Sequence, residues 1–255
     1  MYFFIAVLMI LISMALIYFF SNSNNKGKHN TTNSANINKK KDVSSSQSRI
    51  NKKEDIPGNV LTEKEMNEYI NTKVPVDLIK YTIPYNFTIL DNKALRKCTS
   101  LTELNIHDKL FLLEEQSFIY CTNLININVH EDNKNYCSKL GVLFSKDSKE
   151  IISYPAAKHS STYFIPQGVE KIDSHAFTNN KYLKYVIIPN TVTRIEENAF
   201  VNCKLLKQIV IPENVSYIHP RAFNMCPRLS LRGYEDSLAD NYSKDYYIPF
   251  EYLSK

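Results

Sequence analysis

From residue 83 onward, apolar residues recur along the chain with a fixed period of 23 residues. Each copy begins with Ile and carries apolar residues at offsets 4 and 7, a small and a large residue at offsets 11 and 12, and Leu at offset 18. The copies begin at Ile83, Ile106, Ile165, Ile188 and Ile211. A fixed period of about 20 to 50 residues is typical of a solenoid, because each coil buries its apolar side only against its neighbours. The pattern therefore predicts a solenoid of 23-residue coils.

The end of each copy predicts a short strand that stops at the same point of the coil. Ile209 and Ile211 are two residues apart, so both side chains point to one side of a strand, which we take to be the interior. Proline ends strand pairing because it has no amide hydrogen. It follows the last Ile in four copies, at Pro84, Pro166, Pro189 and Pro212. Further along, Ala199, Phe200 and Cys203 predict a short helical or 3₁₀ segment.

Two regions outside the period also have readable patterns. Ile106 and Ile165 are 59 residues apart, which is one coil plus 36 residues. Within this insert, apolar runs at 141–145 and 150–154 flank a polar connection, which predicts a hairpin in an irregular coil. Ahead of the repeats, Thr62 and Glu65 have the spacing of a capping box, which predicts a helix that shields the first coil.

The repeats resemble a known family. The segments from Ile165 to Phe177 and from Ile188 to Leu206 both begin with Ile-Pro and contain Ala-Phe, and they are similar to the BspA-type leucine-rich repeat of bacterial and protozoan surface proteins. The resemblance covers about residues 80–255, including the insert and the closing segment. It implies an α/β solenoid of short parallel strands and a non-catalytic role in protein binding or adhesion. The last copy departs from the pattern, with Arg232 where an inward strand residue is expected.

The chain is expected to have seven segments. Residues 1–20 are uncharged and long enough to cross a membrane as a helix, so they predict a transmembrane anchor, with a cleaved signal segment as the alternative. Residues 21–60 predict a disordered basic tether. The remaining segments are a helical N-terminal cap (61–82), repeats 1 and 2 (83–128), the irregular hairpin coil (129–164), repeats 3 to 5 (165–233) and a C-terminal cap (234–255).

Two signals disagree about the side of the membrane on which the repeats lie. Lysines follow the apolar segment and none precedes it, which favours the cytoplasm. The family resemblance favours the cell surface, where four Asn-x-Ser/Thr triplets could accept glycans. We take a single-pass membrane protein with its repeats at the cell surface as the prediction.

Charge argues against one class of partner. Residues 21–60 carry eight basic and three acidic residues, so of the 31 basic and 26 acidic residues in the chain, 23 of each sign remain for residues 61–255. A neutral repeat domain lacks the positive surface on which nucleic-acid binding depends. The tether itself could lie on anionic lipid or serve as a solvated spacer.

The sequence contains no motif that points to catalysis, a metal or a cofactor. G-x-S-x-G, H-E-x-x-H and C-x-x-C are missing, and the whole chain has only five Gly residues. We therefore predict a protein that is not an enzyme. Four cysteines share offset 15, which predicts small buried side chains: Cys98, Cys121, Cys203 and Cys226. Because stacked coils would bring such thiols to roughly 5 Å, disulfides from Cys98 to Cys121 and from Cys203 to Cys226 are the alternative.

Residues on either side of the inward strand position should face outward, and their character changes along the chain. The early copies place polar residues there: Glu103, Asn105, Asn126 and Asn128. The later copies place mainly apolar ones there: Phe164, Tyr185, Ile187 and Val210, with Thr162 and Gln208. An exposed apolar patch is typical of an interaction surface, so we predict that Phe164, Tyr185, Ile187 and Val210 bind a protein partner. The alternatives are a patch covered by the hairpin or the C-terminal segment, and a structural membrane-side scaffold without a specific ligand.

Overall fold

The computed structural model describes residues 58–73 and 79–254, with only the backbone for residues 69–73. The predicted membrane segment, residues 1–20, and the predicted tether up to residue 57 lie outside the described residues. Neither of the helices in the described ranges is long and apolar enough to cross a bilayer.

The described residues form two helices and a series of short strands. The helices are α1 (Glu63–Lys73) and α2 (Leu238–Asp245). In chain order the strands are β1 (Asn59–Leu61), β2 (Lys80–Thr82), β3 (Phe87–Leu90), β4 (Glu103–Ile106), β5 (Leu112–Leu113), β6 (Asn126–Val129), β7 (Tyr136–Lys139), β8 (Val142–Ser145), β9 (Glu150–Ser153), β10 (Thr162–Phe164), β11 (Lys171–Ile172), β12 (Tyr185–Ile187), β13 (Arg194–Ile195), β14 (Gln208–Val210), β15 (Tyr217–Ile218), β16 (Ser230–Gly233) and β17 (Phe250–Tyr252).

Parallel pairing between successive coils confirms the predicted solenoid. Tyr185 pairs with Gln208, its counterpart 23 residues later, and the neighbouring strands continue this register. The sheets β2-β4-β6 and β10-β12-β14-β16-β17 contain the short strands that end the repeats, together with the closing strand β17. We call the outer side of these two sheets the front face. The sheets β1-β3-β5 and β15-β13-β11-β9-β8-β7 form the second series, here called the rear sheets. Strand β12 ends two residues before Pro189, as the pattern predicts.

One column of aromatic rings runs through the C-terminal coils. The rings of Tyr154, Phe177, Phe200, Phe223 and Tyr242 follow one another with centroid distances of 5.1, 4.6, 5.5 and 5.5 Å. All five side chains are buried. Each ring therefore completes its packing only against the ring of the next coil, which is why a single coil has no stable core of its own.

The segment predicted to be helical or 3₁₀ forms turns instead. Thr178 N donates to His175 O at 3.1 Å, a bond with the three-residue spacing of a 3₁₀ turn. His175 and Asn179 both have φ of 60°. Two left-handed residues only four positions apart interrupt a right-handed helix before it completes a second turn. A continuous helix is excluded for this reason, whereas the hydrogen-bond spacing of the 3₁₀ alternative is present in separate turns at the expected position of the coil.

The insert is a three-stranded antiparallel unit that separates two cores. Strands β8 and β9 form the predicted hairpin, and β7 pairs with β8 as a third strand that the sequence pattern did not indicate. Successive residues of β8 point to opposite sides. Leu143 packs in the core of the N-terminal coils, whereas Val142 and Phe144 pack in the core of the C-terminal coils. The insert thereby contributes side chains to both cores and marks the boundary between them.

At the N-terminus, the predicted capping box is present. Thr62 N donates to Glu65 Oε2 at 3.1 Å, and Glu65 N donates to Thr62 Oγ1 at 3.5 Å, at the start of α1. The region is more than a helix, however, because β1 and β2 pair in parallel with β3 and β4. The cap is thus a further coil with a helix inside it. Because β1 begins at Asn59, the predicted tether, which extended to residue 60, is too long by two residues.

At the C-terminus, the last repeat is one residue shorter than the 23-residue repeats before it. Val210 pairs with Arg232, a separation of 22 residues instead of 23. Leu231 is fully buried in the inward position, and Arg232 is partly exposed in the outward row. The expectation that Arg232 is an inward residue is therefore wrong. The chain then closes with α2, whose N-cap Ser237 accepts from Asp240 N, and with β17.

Candidate protein-binding face

The four predicted contact residues lie together on the front face of the C-terminal coils. Phe164, Ile187 and Val210 occupy the same register position on β10, β12 and β14. Tyr185 lies two residues before Ile187, at the register position of Thr162 and Gln208. Because paired strands lie about 4.8 Å apart, these side chains form a continuous surface. We call Phe164, Tyr185, Ile187 and Val210 the apolar strip.

The apolar strip is accessible in the described part of the molecule. Phe164 is 56% exposed and Tyr185 is 41% exposed, while Ile187 and Val210 are partly buried between their neighbours. The strands of the insert belong to the rear sheets, and β17 pairs beside β16 at the end of the front sheet. Neither segment covers the strip, so the alternative that one of them does is wrong for the described residues.

The row of the strip continues into a cation. Arg232 follows Val210 in the row, and Glu251 follows Arg232. The Nε atom of Arg232 is buried and has no hydrogen-bond partner among the described residues. Glu251 accepts a hydrogen bond from Gln208 Nε2 at 2.9 Å. The row thus ends at a partly exposed guanidinium group, which is followed by the exposed carboxylate of Glu251.

Two lysines border the strip at the start of its strands. Lys184 and Lys207 are exposed, and Lys207 N donates to Lys184 O at 2.8 Å, so the two residues lie on adjacent coils. In the part of the chain that the structure describes, neither lysine forms an ion pair. Neither lysine was predicted as a site residue, although both occupy offset 19 of their coils and their 23-residue separation can be read in the sequence.

The corresponding surface of the N-terminal coils is polar and bonded to itself. Asn128 Nδ2 donates to Asn105 Oδ1 at 2.9 Å, and Asn105 Nδ2 donates to Thr82 Oγ1 at 3.2 Å. Beside this amide ladder, Lys80 Nζ and Glu103 Oε2 form an ion pair at 3.1 Å. These groups are largely satisfied within the face, so a partner would gain little from contacting them.

The described residues do not assemble a metal site. No group of three or more His, Cys, Asp or Glu side chains in residues 58–73 and 79–254 is placed to hold an ion. What the front face offers is a row of apolar side chains bordered by cations. This is the chemistry of a contact surface between macromolecules.

The fold and this face define a leucine-rich-repeat solenoid. A family model described as the BspA type leucine rich repeat region matches residues 74–162 and 156–239, with six copies in all. The chain therefore belongs to the BspA-type leucine-rich repeat family. A search of curated proteins finds no match.

Two solved structures are similar to this chain. A leucine-rich repeat protein from Eubacterium ventriosum is 28% identical with a TM-score of 0.58, over 63% of this chain and 43% of that one. The pneumococcal vaccine antigen PcpA is 23% identical with a TM-score of 0.50, over 61% of this chain and 51% of that one. The likeness to PcpA concerns the fold alone. The chain thus matches about half or less of the length of these two proteins.

Proposed function

We propose that this protein is a membrane-tethered recognition module at the cell surface, which binds a protein partner through the apolar strip and has no catalytic role. The observation that carries the proposal is the apolar row Phe164, Ile187 and Val210, of which Phe164 is exposed, in a face whose N-terminal counterpart is polar and self-bonded. Membership of the BspA-type family supports a role in protein interaction or adhesion. The tether and residues 1–20 would hold the module at the membrane.

The charges beside the strip define the partner more closely. Lys184 and Lys207 border the strip, and the partly exposed Arg232 follows Val210 at its end. Complementary charges guide association and select against wrong partners. A partner segment that combines aliphatic or aromatic side chains with carboxylates would cover the strip and also pair these cations. We therefore assign the strip an acidic, apolar segment of a protein as its ligand.

Aromatic residues should contribute most to the affinity. Tyr185 and Phe164 present large, partly exposed rings, and such residues are frequent hot spots of protein interfaces. Ile187 follows Phe164 in the same row, and Val210 follows Ile187, so these two residues add an aliphatic surface next to the rings. A ligand that lies along the row would contact all four side chains in succession.

Selection of ligands from a displayed peptide library on the full-length protein tests the proposal. We expect the enriched peptides to combine acidic and apolar residues, and the double variant Tyr185→Asp/Ile187→Asp to bind a synthetic copy of an enriched peptide at least roughly a hundredfold more weakly. The matched control is Asn126→Asp/Asn128→Asp, which adds the same charge at the same register in the N-terminal coils and should retain binding. Circular dichroism melts verify that both variants are folded.

Two outcomes contradict this proposal. Equal binding by Tyr185→Asp/Ile187→Asp and by the wild type would remove the strip from the binding site. Failure to enrich any peptide would favour the structural membrane-side scaffold without a specific ligand. The location is tested separately: a C-terminal tag should be cleaved by protease added to intact cells, and a protected tag would place the repeats on the cytoplasmic side.

A further inference from the structure

Cys203 and Cys226 occupy the same position in the coils that begin at Ile188 and Ile211. The carbonyl oxygen of Phe200 accepts from both of them, from Cys203 N at 3.3 Å and from Cys226 Sγ at 3.0 Å. The thiol of Cys226 therefore lies beside the main chain of Cys203.

The two thiols differ in access to solvent and in acidity. Cys203 is 1% exposed, and its thiol donates to Phe177 O at 3.0 Å. Cys226 is partly exposed. The neighbouring Cys203 thiol lowers the pKa of Cys226, whereas the Cys226 thiol and burial raise the pKa of Cys203. The outer member of the pair is thus both the accessible thiol and the one that ionises first, which is the property of an attacking thiol.

The N-terminal coils contain a second pair that serves as an internal control. Leu95 O accepts from Cys98 N at 3.0 Å, but the corresponding thiol, Cys121 Sγ, lies 3.9 Å from it. Both cysteines of this pair are buried, at 2% and 1% exposure. Burial raises the pKa of Cys98 to about 11 and that of Cys121 further still. The same coil position therefore holds one pair with an accessible thiol and one without.

We propose that Cys203 and Cys226 are a site of reversible thiol–disulfide exchange, with Cys226 as the attacking thiol and Cys203 as the resolving thiol. The Cys226 thiolate attacks one sulfur of a small disulfide such as oxidised glutathione. The glutathione S–S bond breaks, a mixed disulfide forms, and one glutathione thiolate leaves and takes up a proton. Cys203 then loses its proton and attacks Cys226 Sγ, which expels the second glutathione. Two protein thiols are oxidised and one glutathione disulfide is reduced to two thiols.

The product would connect two coils that carry the front face. A bond from Cys203 to Cys226 closes a loop of 23 residues that includes Gln208 and Val210. Coils that stack at the separation of paired strands lie within the range that a disulfide spans. A cross-link here restricts the unfolded chain, so it stabilises the C-terminal coils without any change in their arrangement.

Incubation of the full-length protein with oxidised glutathione tests the proposal. We expect the number of free thiols to fall from five to three, with no glutathione retained, and peptide mapping to recover Cys203 joined to Cys226. The melting temperature should rise on oxidation and return to its starting value after dithiothreitol is added. In Cys226→Ser, all four remaining thiols should persist. In Cys203→Ser, the exchange should stop at a mixed disulfide of Cys226 with glutathione.

Matched variants separate this pair from the other cysteines. Cys121→Ser and Cys137→Ser should form the same disulfide as the wild type, since neither residue takes part in the exchange. The proposal is overturned by a map that joins Cys98 to Cys121, by a stable Cys226–glutathione adduct in the wild type, or by five thiols that resist oxidation. None of these results depends on a protein ligand, so this test and that of the apolar strip fail independently.

Discussion

The two halves of the front face have the same backbone and opposite surface chemistry. In the N-terminal half, Thr82, Asn105 and Asn128 bond to one another across the strands. In the C-terminal half, the same outward row consists of apolar residues, among them Phe164 and Ile187. The solenoid therefore accepts either kind of residue outward, because only the inward positions determine how the coils stack.

This difference separates stability from recognition. An amide ladder uses up its donors and acceptors within the protein, so it stabilises the face and leaves few groups for a ligand. An apolar row gains nothing from its exposure to water, and its burial by a partner is favourable. The C-terminal half of the front face is therefore the half that we expect to bind.

The largest effect should come from the aromatic column. Phe200→Ala removes the central ring, which lies 4.6 Å from the ring of Phe177, and should lower the free energy of unfolding by about 3–5 kcal/mol. Because coils of a solenoid interact mainly with their neighbours, hydrogen exchange should accelerate in the C-terminal core. Denaturant unfolding gives the energy, and hydrogen exchange shows which core opens.

Leu104→Ala is the matched change on the other side of the insert. Leu104 is fully buried in the N-terminal core, so its loss should cost about 2–5 kcal/mol and accelerate exchange mainly in the N-terminal coils. If both variants accelerated exchange equally throughout residues 58–254, the division of the core at β8 would have no energetic meaning.

The coils were predictable because each inward position has one chemical requirement. Phe177, Phe200 and Phe223 fill equivalent volumes in successive coils, so the period in the sequence is the period of the packing. The N-terminal coil was not predicted as such, since α1 replaces the usual turn and breaks the pattern. Strand β7 was not predicted, because Ser138 and Lys139 are polar and the strand lies in the insert, outside the repeat pattern.

The position of the candidate site on the fold could be predicted from the sequence, but the surroundings of these residues could not. Outward offsets identified the apolar strip, whereas its exposure depends on where the insert and the tail pack, which the repeat does not encode. The change of register before Arg232 is visible in the sequence at one place. Leu229 and Leu231 are two residues apart, whereas the equivalent Leu206 and Ile209 are three residues apart. A fixed period of 23 residues does not account for such a deletion, so Arg232 was predicted to lie at an inward position.

Reversal of the bordering charges should affect only the C-terminal half. Lys184→Glu/Lys207→Glu should weaken binding of an acidic peptide selected on the wild type by roughly tenfold at low salt, with a smaller effect at high salt. Stability should change by less than about 0.5 kcal/mol, because both side chains are exposed and form no ion pair in the described structure. Titration calorimetry at two salt concentrations measures the change.

The matched control for this charge reversal lies in the N-terminal coils. Lys93→Glu/Lys97→Glu changes the net charge by the same amount at exposed positions away from the strip. At the higher salt concentration, about 0.1 M, its affinity should stay within roughly twofold of the wild type, since exposed charges beyond the Debye length of about 10 Å are then screened. An equal loss in both variants would mean that net charge alone, not its placement beside the strip, guides the ligand.

The amide ladder should make a smaller contribution to stability. Asn105→Ala removes the acceptor of Asn128 and the donor to Thr82, and should lower the free energy of unfolding by about 1 kcal/mol. Asn190→Ala is the control, because Asn190 is exposed and its side chain makes no hydrogen bond in the described structure. Equal melting curves for the two variants would show that the polar half of the face is no more self-stabilised than ordinary surface.

The smallest expected effect is a gain in stability. It concerns Met225, the last of a column of left-handed residues in the C-terminal coils. Asn179, Asn202 and Met225 all have φ near 60° in equivalent turns. Asn202 Nδ2 donates to Asn179 Oδ1 at 2.6 Å, but Asn202 Oδ1 is buried without a partner in the described structure. Asparagine tolerates the left-handed region better than methionine, and an amide at 225 could donate to Asn202 Oδ1. We expect Met225→Asn to raise the free energy of unfolding by about 0.5–1 kcal/mol.

Two further variants divide this gain into its causes. Met225→Gly relieves the backbone conformation without adding a donor, so its gain should be smaller than that of Met225→Asn. Met225→Ala keeps the left-handed penalty and should show no gain, which is the expected baseline because Met225 is 68% exposed and contributes little packing. If Met225→Asn were no more stable than Met225→Gly, the amide column of the C-terminal coils would end at Asn202, and the whole gain at residue 225 would come from relief of the backbone conformation.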